Sequence, residues 1–300
     1  MSLQDRLPMD ALTRDNRRGI RFMTLAMVSF IFNDAIVKYV SESLPAGQLI
    51  VIRGIMACAL ILLVARSLGV NVKLADLTDR WVMLRAALEA IAALFYLYAL
   101  FNIPLPNATA INLSAPLFIA ILAMIFFKER VDSRRWLVIA IGFLGVLLVI
   151  QPRANDFNAF ALLSLASTVM YAGRDLLTRK IPGEVNAIVI TLSTAISVTG
   201  LAALVVIFQG WQPFDGRQLG LLALAAGFLA AGYYFIIQAS RQGEFSVVAP
   251  FRYAGLLGAL ILGYLVWGYI PNTLAWSGIA LLIIAGLLML HREHRRGQAN

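Results

Sequence analysis

Residues 107–150 read NATAINLSAPLFIAILAMIFFKERVDSRRWLVIAIGFLGVLLVI. The stretch holds two apolar runs, 107–127 and 135–150. Between them lies a short turn carrying Lys128, Arg130, Arg134 and Arg135. A bilayer core of about 30 Å is crossed by roughly 20 apolar residues in a helix. The runs are too long and too uniformly apolar for the alternating strands of a membrane barrel. In lipid the backbone must satisfy its own hydrogen bonds, which leaves the helix. The stretch therefore reads as a transmembrane helical hairpin with a basic turn.

Eight further runs of the same kind occupy approximately 20–40, 46–66, 81–101, 157–178, 186–208, 218–240, 245–267 and 272–290. The sequence thus predicts an all-α membrane protein of ten transmembrane helices, with no connection long enough for a soluble domain. Composition agrees. The chain is 300 residues, 60% hydrophobic and only 14% charged, with mean hydropathy +0.81. Soluble domains are about 45–50% apolar and about 25% charged. This excludes a soluble enzyme, a disordered chain and a DNA-binding domain. The single cysteine, Cys58, excludes an intrachain disulfide and a cysteine metal cluster. The first run carries Asp34 and Lys38 and exceeds the apolar core of a cleavable leader, so it is read as a retained span. All five tryptophans (Trp81, Trp136, Trp211, Trp267 and Trp276) fall at span ends or in a loop, as an interfacial belt does.

The net charge of +9 is a matter of topology. If ten spans alternate, 19 of the 25 Lys and Arg fall on one side. Lys38, Arg153 and Arg217 fall on the other, and Arg53, Arg174 and Arg252 lie within spans. That asymmetry predicts cytoplasmic tails at 1–19 and 291–300. The basic surface is expected to meet anionic lipid and not nucleic acid.

A weak internal repeat recurs at a spacing of about 140 residues. Ala92-Ala93…Tyr96 matches Ala230-Ala231…Tyr234, Trp136 matches Trp276, and Asp34…Lys38 matches Asp175…Arg179. The halves are 20–152 and 153–290. Five spans each is an odd number, so the halves should be inverted, as in many secondary transporters. Asp34/Lys38 and Asp175/Arg179 are then acid–base pairs four residues apart, expected either to brace two gates or simply to neutralise each other at helix ends.

Ionised groups in a membrane normally face the protein interior. Arg53, Glu89, Arg174, Asp175 and Arg252 are the deep ones. Arg53 is expected to pair with an acid such as Glu89. Polar or aromatic stripes run along span 4 (Thr109, Asn112, Pro116), span 6 (Ser164, Ser167, Thr168, Tyr171, Arg174, Asp175, Thr178) and span 8 (Gly227, Ala231, Tyr234, Gln238). Together they predict a central cavity lined by spans 1, 3, 4, 6, 8 and 9. Arg174 or Arg252 would meet a substrate carboxylate there. Tyr96, Tyr171, Tyr234 or Tyr253 would support its side chain, and Asn112 is a further binding candidate. Arg252 is the sharpest of these, because the neighbouring Pro250 frees a carbonyl. Gly142, Gly145, Gly255, Gly258, Gly263 and Gly268 are expected to allow close helix contact. Asn107-Ala-Thr and Asn112-Leu-Ser match the glycosylation pattern but lie at or in the membrane, where it is coincidental. There is no phosphate-binding loop, and His291 and His294 both lie in the basic tail. No cofactor, metal or catalytic residue is expected.

Leu105 to Pro152 resembles the end of an EamA repeat of the drug/metabolite transporter superfamily. Glu129 stands at the family's glutamate, and Gly142 and Gly145 at its glycine pair. Ser246 to Met289, with VVAPFRY and WGYIPN, resembles the second copy, but has Tyr269 where the first has Glu129. Asn33-Asp34…Lys38 followed by Arg53 is similar to the family's opening. The resemblance implies a ten-helix carrier of two inverted EamA repeats in a bacterial inner membrane. It would act as a monomer and move amino acids, purine-like metabolites, riboflavin or S-adenosylmethionine. In overall likeness it points to YddG-like exporters of aromatic amino acids, with uptake or exchange of a heteroaromatic metabolite as the alternative.

Overall fold

The computed structural model describes residues 9–127, 133–151, 158–178, 180–242 and 248–297, which form helices and short connections. In chain order the helices are α1 (Met9–Val40), α2 (Ala46–Ser67), α3 (Leu74–Leu77), α4 (Arg80–Asn102), α5 (Leu105–Asn112), α6 (Ala115–Phe127), α7 (Ser133–Ile150), α8 (Ala159–Thr178), α9 (Ala187–Gln209) and α10 (Gly216–Gln242). A 3-10 turn, Ala249–Tyr253, then leads into α11 (Ala254–Trp267), and α12 (Thr273–Gly297) ends the chain. Among the described residues six stretches are long and apolar enough to cross a membrane. These are Arg17–Val40, Ala46–Ser67, Arg80–Asn102, Leu105–Phe126 (across α5 and α6), Ala187–Gln209 and Gly216–Ile236. Three other expected spans appear as the shorter apolar helices Trp136–Ile150, Phe251–Trp267 and Thr273–Leu288. The remaining expected span coincides with α8, 20 residues long, which carries a polar stripe.

Short polar residues set the helix starts. The Asp79 carboxylate accepts from the N–H groups of Trp81 and Val82, and the Asn186 side chain from Ile188. Asp215 and Gln218 exchange side-chain-to-backbone bonds at 2.7 and 2.9 Å, a capping box. At a membrane boundary these caps replace water for otherwise orphaned donors.

Pro116 accounts for the break in the fourth expected span. Proline lacks an N–H and disfavours helix in the residue before it. The chain closes α5 at Asn112 and restarts at Ala115, with the Ser114 hydroxyl turned back onto the Ile111 carbonyl at 2.6 Å. Pro250 stands likewise in the 3-10 turn before α11.

Contacts run in a ring: α1 to α10, α10 to α2, α2 to α9, α9 to α4, α4 to α8, α8 to α5 and α6, α5 to α11, and α11 back to α1. Outside the ring α7 packs on α12. Glycine explains that closeness: a Cβ on Gly278 would lie 2.7 Å from the Gly145 carbonyl oxygen, and one on Gly145 would lie 2.9 Å from that of Gly278. Gly142 meets Leu117 and Gly263 meets Pro106 as close contacts, whereas Gly255 and Gly258 face Met27 and Ile31 at ordinary van der Waals distance. Gly268 departs from the expectation. It touches nothing and instead ends α11 at φ +64°, a conformation that glycine adopts without strain. Phe126, Ile207, Phe208 and Leu265 are exposed on the outside of the bundle, where acyl chains replace water as their surroundings.

Candidate functional site

The ring encloses a cavity of about 360 Å³. Its wall comes from α1, α2, α4, α5, α6, α8, α9, α10, α11 and the 3-10 turn. The expected cavity lacked α2 and α9, which supply Arg53, Gly54 and Ala57, and Thr191, Thr194 and Thr199. The end of the bundle where α1 finishes is called distal below, and the end where α1 begins proximal.

A chain of hydrogen bonds occupies the distal half of the wall. Arg53 lies seven residues into α2, about 10 Å from its distal start. Its Nη1 donates to Asn33 Oδ1 at 2.9 Å, Asn33 Nδ2 donates to Asp34 Oδ1 at 2.9 Å, and the Tyr96 hydroxyl donates to Asp34 Oδ2 at 2.8 Å. Arg53 is 6% exposed, and its Nε is buried with no hydrogen-bond partner. Two expectations are corrected here. Arg53 does not pair with Glu89: its guanidinium donates to Asn33, and the two Glu89 oxygens are taken by other arginines. Asp34 does not pair with Lys38, because each finds its own partner at α4, the Tyr96 hydroxyl for Asp34 and the Leu100 and Ile103 carbonyls for Lys38.

The second cluster lies in the proximal half. Glu89, 4% exposed, receives Arg85 Nη1 at 2.8 Å on one oxygen and Arg174 Nη1 at 2.6 Å on the other. Arg174 Nη2 reaches Asp175 Oδ1 at 2.6 Å, and its guanidinium carbon lies 4.9 Å from the centroid of the Tyr171 ring. Arg85 also donates to the hydroxyls of Thr178 and Thr194. Two guanidiniums and two carboxylates are thereby neutralised as one network, which is how buried ion pairs offset their desolvation. Glu89 is thus the hub of the pairing, and Asp175 binds its chain neighbour. Arg179, its expected partner, lies outside the described residues.

Arg252 and Tyr253 project into the cavity from the 3-10 turn. Arg252 makes no ion pair or hydrogen bond among the described residues. The Tyr253 hydroxyl is 3.5 Å from the Leu282 carbonyl. Asn112 lines the cavity at the α5–α6 break, together with Pro116. Tyr96 and Tyr171 meet edge to face, their centroids 6.4 Å apart.

Tyr234 is corrected to Tyr233. Leu229, Tyr233 and Ile236 face the central cavity. Tyr234 is 39% exposed and lines only an adjoining cavity of about 300 Å³ beside α2 and α9, whose wall also shares Tyr233, Ile61 and Thr191 with the central one. Gly227, Ala231, Tyr234 and Gln238 do form one helical stripe, but small residues on α10 also serve helix contact: Gly232 lies against the Phe30 ring. Asn33, Tyr233 and the threonines of α9 were missed. Thr191, Thr194 and Thr199 fall at i, i+3 and i+8, so a run of hydroxyls on one side of that span was there to be read.

The distal end is tied shut. Lys38 Nζ donates to the carbonyls of Leu100 at 2.6 Å and Ile103 at 2.9 Å, and lies 5.7 Å from the Trp267 ring centroid. Trp267 Nε1 donates to Glu42, and the Tyr269 hydroxyl to Asn107 Oδ1. Gln48 and Gln212 bond reciprocally, at 2.8 and 2.9 Å. At the other end, cavity residues reach Thr191, only four residues into α9 and so about 6 Å from its proximal start.

The chain is similar to known proteins. A riboflavin transporter of Vibrio cholerae is 25% identical, covering 94% of this chain and 95% of its own. An S-adenosylmethionine uptake transporter of Rickettsia felis is 27% identical (92% and 94%). The pseudopaline exporter CntI of Pseudomonas aeruginosa is 26% identical (90% and 94%). A crystal structure at 19% identity superposes with a TM-score of 0.64 over 93% of this chain and 98% of that one, which establishes the fold. The model of the EamA-like transporter family matches residues 17–151 and again 158–291, one copy in each half. With both copies matched, the chain belongs to the EamA-like transporter family.

Proposed function

We propose that the chain is a secondary carrier that exports amino acids, aromatic ones among them, or similar small zwitterionic metabolites across a bacterial inner membrane by alternating access. In this reading ten spans form two inverted five-helix repeats and both tails are cytoplasmic. The proximal end then faces the cytoplasm, and the distally tied structure is the inward-facing state.

The observation that carries the substrate class is the charge balance of the cavity wall. Arg53, Arg174 and Arg252 stand against Asp34, Glu89 and Asp175, so the wall is formally neutral yet bipolar. Arg252, which makes no ion pair among the described residues, offers its guanidinium for a carboxylate. Asp34, likewise without an ion pair among the described residues, offers a carboxylate for an ammonium. Tyr96, Tyr171, Tyr233 and Tyr253 supply aromatic faces between them. The volume is near the lower end of the about 300–1,000 Å³ typical of small-molecule pockets, which suits one small metabolite. The proline breaks at Pro116 and Pro250 put irregular backbone at the cavity, where broken-helix carriers place their sites.

The test is flux in proteoliposomes with a panel of labelled amino acids, S-adenosylmethionine and riboflavin, with and without a pH gradient. Saturable flux of an amino acid is expected. Absence of flux for every amino acid refutes this substrate class. Uptake or exchange of a heteroaromatic metabolite is the second reading, favoured by the tyrosine-rich wall and by the names of the Vibrio and Rickettsia relatives, a riboflavin and an S-adenosylmethionine transporter.

A further inference from the structure

Three carboxylates line the cavity, and they are not equivalent. Glu89 is held by two guanidiniums and Asp175 by one. Asp34 makes no ion pair among the described residues. Its two bonds come from neutral donors, the Tyr96 hydroxyl and the Asn33 amide. The nearest cation on the neighbouring wall, Arg53, is separated from it by Asn33, which accepts from Arg53 with one end of its amide and donates to Asp34 with the other. Arg174 is committed to Glu89 and Asp175, and Arg252 stands on the 3-10 turn. On its own helix Lys38 is turned away to the α4 carbonyls. Tyr171, Tyr233 and Tyr253 face the same space as neutral hydroxyls.

An unpaired carboxylate in a membrane interior is costly and is relieved by a cation or a proton. Glu89 and Asp175 are relieved by arginines that are part of the fold. Asp34 has no such partner among the described residues, which leaves the cavity to supply its relief.

Resting on the reading of the chain as a small-metabolite carrier, we infer that Asp34 is a proton-binding site shared with the substrate cation, so that each ammonium-bearing substrate that binds releases one proton. The exchange balances. Protonated Asp34 gives its proton to cavity water as the substrate ammonium takes its place, and a proton returns when the substrate leaves on the other side.

The experiment reads protons directly. Purified protein in weakly buffered detergent with a pH dye is mixed with each compound of the flux panel. A binding amino acid is expected to release about one proton per substrate in the wild type. Asp34→Asn is expected to abolish the release. In liposomes a pH gradient of one unit is expected to drive up to about tenfold accumulation in the wild type and none in D34N. Tyr96→Phe removes a donor that stabilises the carboxylate, so its release curve is expected to move to higher pH. This variant decides the matter if D34N fails to fold. Binding without proton release, release that survives in D34N, or an unshifted Y96F curve overturns the inference. In those cases flux still stands, whereas a chain that moves no panel compound overturns the carrier reading instead.

Discussion

Lys38→Met tests the distal tie. Methionine keeps the length and apolar stem of lysine and removes the ammonium, which donates to the Leu100 and Ile103 carbonyls at 2.6 and 2.9 Å. Those carbonyls end α4, where a cation is also favoured by the helix dipole. Hydrogen bonds to a charged group contribute about 1.5–3 kcal/mol each, but the two share one partly buried ammonium, so we take about 2 kcal/mol for the latch. Methionine retains no part of it, because a thioether cannot donate. If the latch exists only in the distally closed state, its loss moves the closed–open balance by a factor of about 30. The assay is labelling of Ala57→Cys, a buried cavity position, in a Cys58→Ser background, with a membrane-impermeant thiol reagent applied from the distal side. The labelling rate is expected to rise by about 10- to 30-fold in K38M, as the open population grows. An unchanged rate in a folded K38M protein refutes the reasoning. A fall in melting temperature with no change in labelling makes Lys38 a static helix cap.

Three further outcomes are expected. Arg252→Gln should raise the KM for carboxylate-bearing substrates by about 10- to 100-fold, the loss of one charged hydrogen bond, and should leave decarboxylated analogues little affected. Flux kinetics with each pair of compounds measure it. Glu89→Gln strips one charge from a buried network that holds two guanidiniums and should cost about 3–5 kcal/mol, whereas Glu89→Gln with Arg174→Gln should cost less than the two single changes together. Thermal unfolding in detergent for the four proteins of the cycle reads the coupling. Gly278→Ala would set a Cβ 2.7 Å from the Gly145 carbonyl and 2.9 Å from Leu148 and Val149. It should destabilise the α7–α12 contact by about 1–3 kcal/mol, seen as a lower melting temperature with unchanged substrate selectivity.

The helical, membrane-embedded architecture is legible in the sequence because it follows from a one-dimensional requirement. Each crossing needs a long apolar run, and lipid forces each run to close its own hydrogen bonds. Pro116 and Pro250 mark the helix breaks because proline acts through the local backbone alone. That Arg53, Glu89, Arg174 and Arg252 lie in the interior also follows, since a charge in lipid has few other places to be. Their partners do not follow. Arg53 on Asn33, Glu89 on Arg85 and Arg174, Asp34 on Tyr96 and Lys38 on the α4 carbonyls are set by which helices become neighbours in the ring. Sequence spacing suggested Asp34–Lys38 because i and i+4 share a helix face. In the bundle, hydrogen-bonding groups of α4 offered each residue a better partner. Tyr233 and Tyr234 show the same limit. Adjacent residues differ by about 100° around a helix, and both stripes were chemically plausible, so only the packing of α10 on α1 decided which ring faces the cavity. What must be buried follows from the order of residue types alone. The tertiary structure decided what each buried charge meets, because that depends on helix neighbours and rotation, which no single helix encodes.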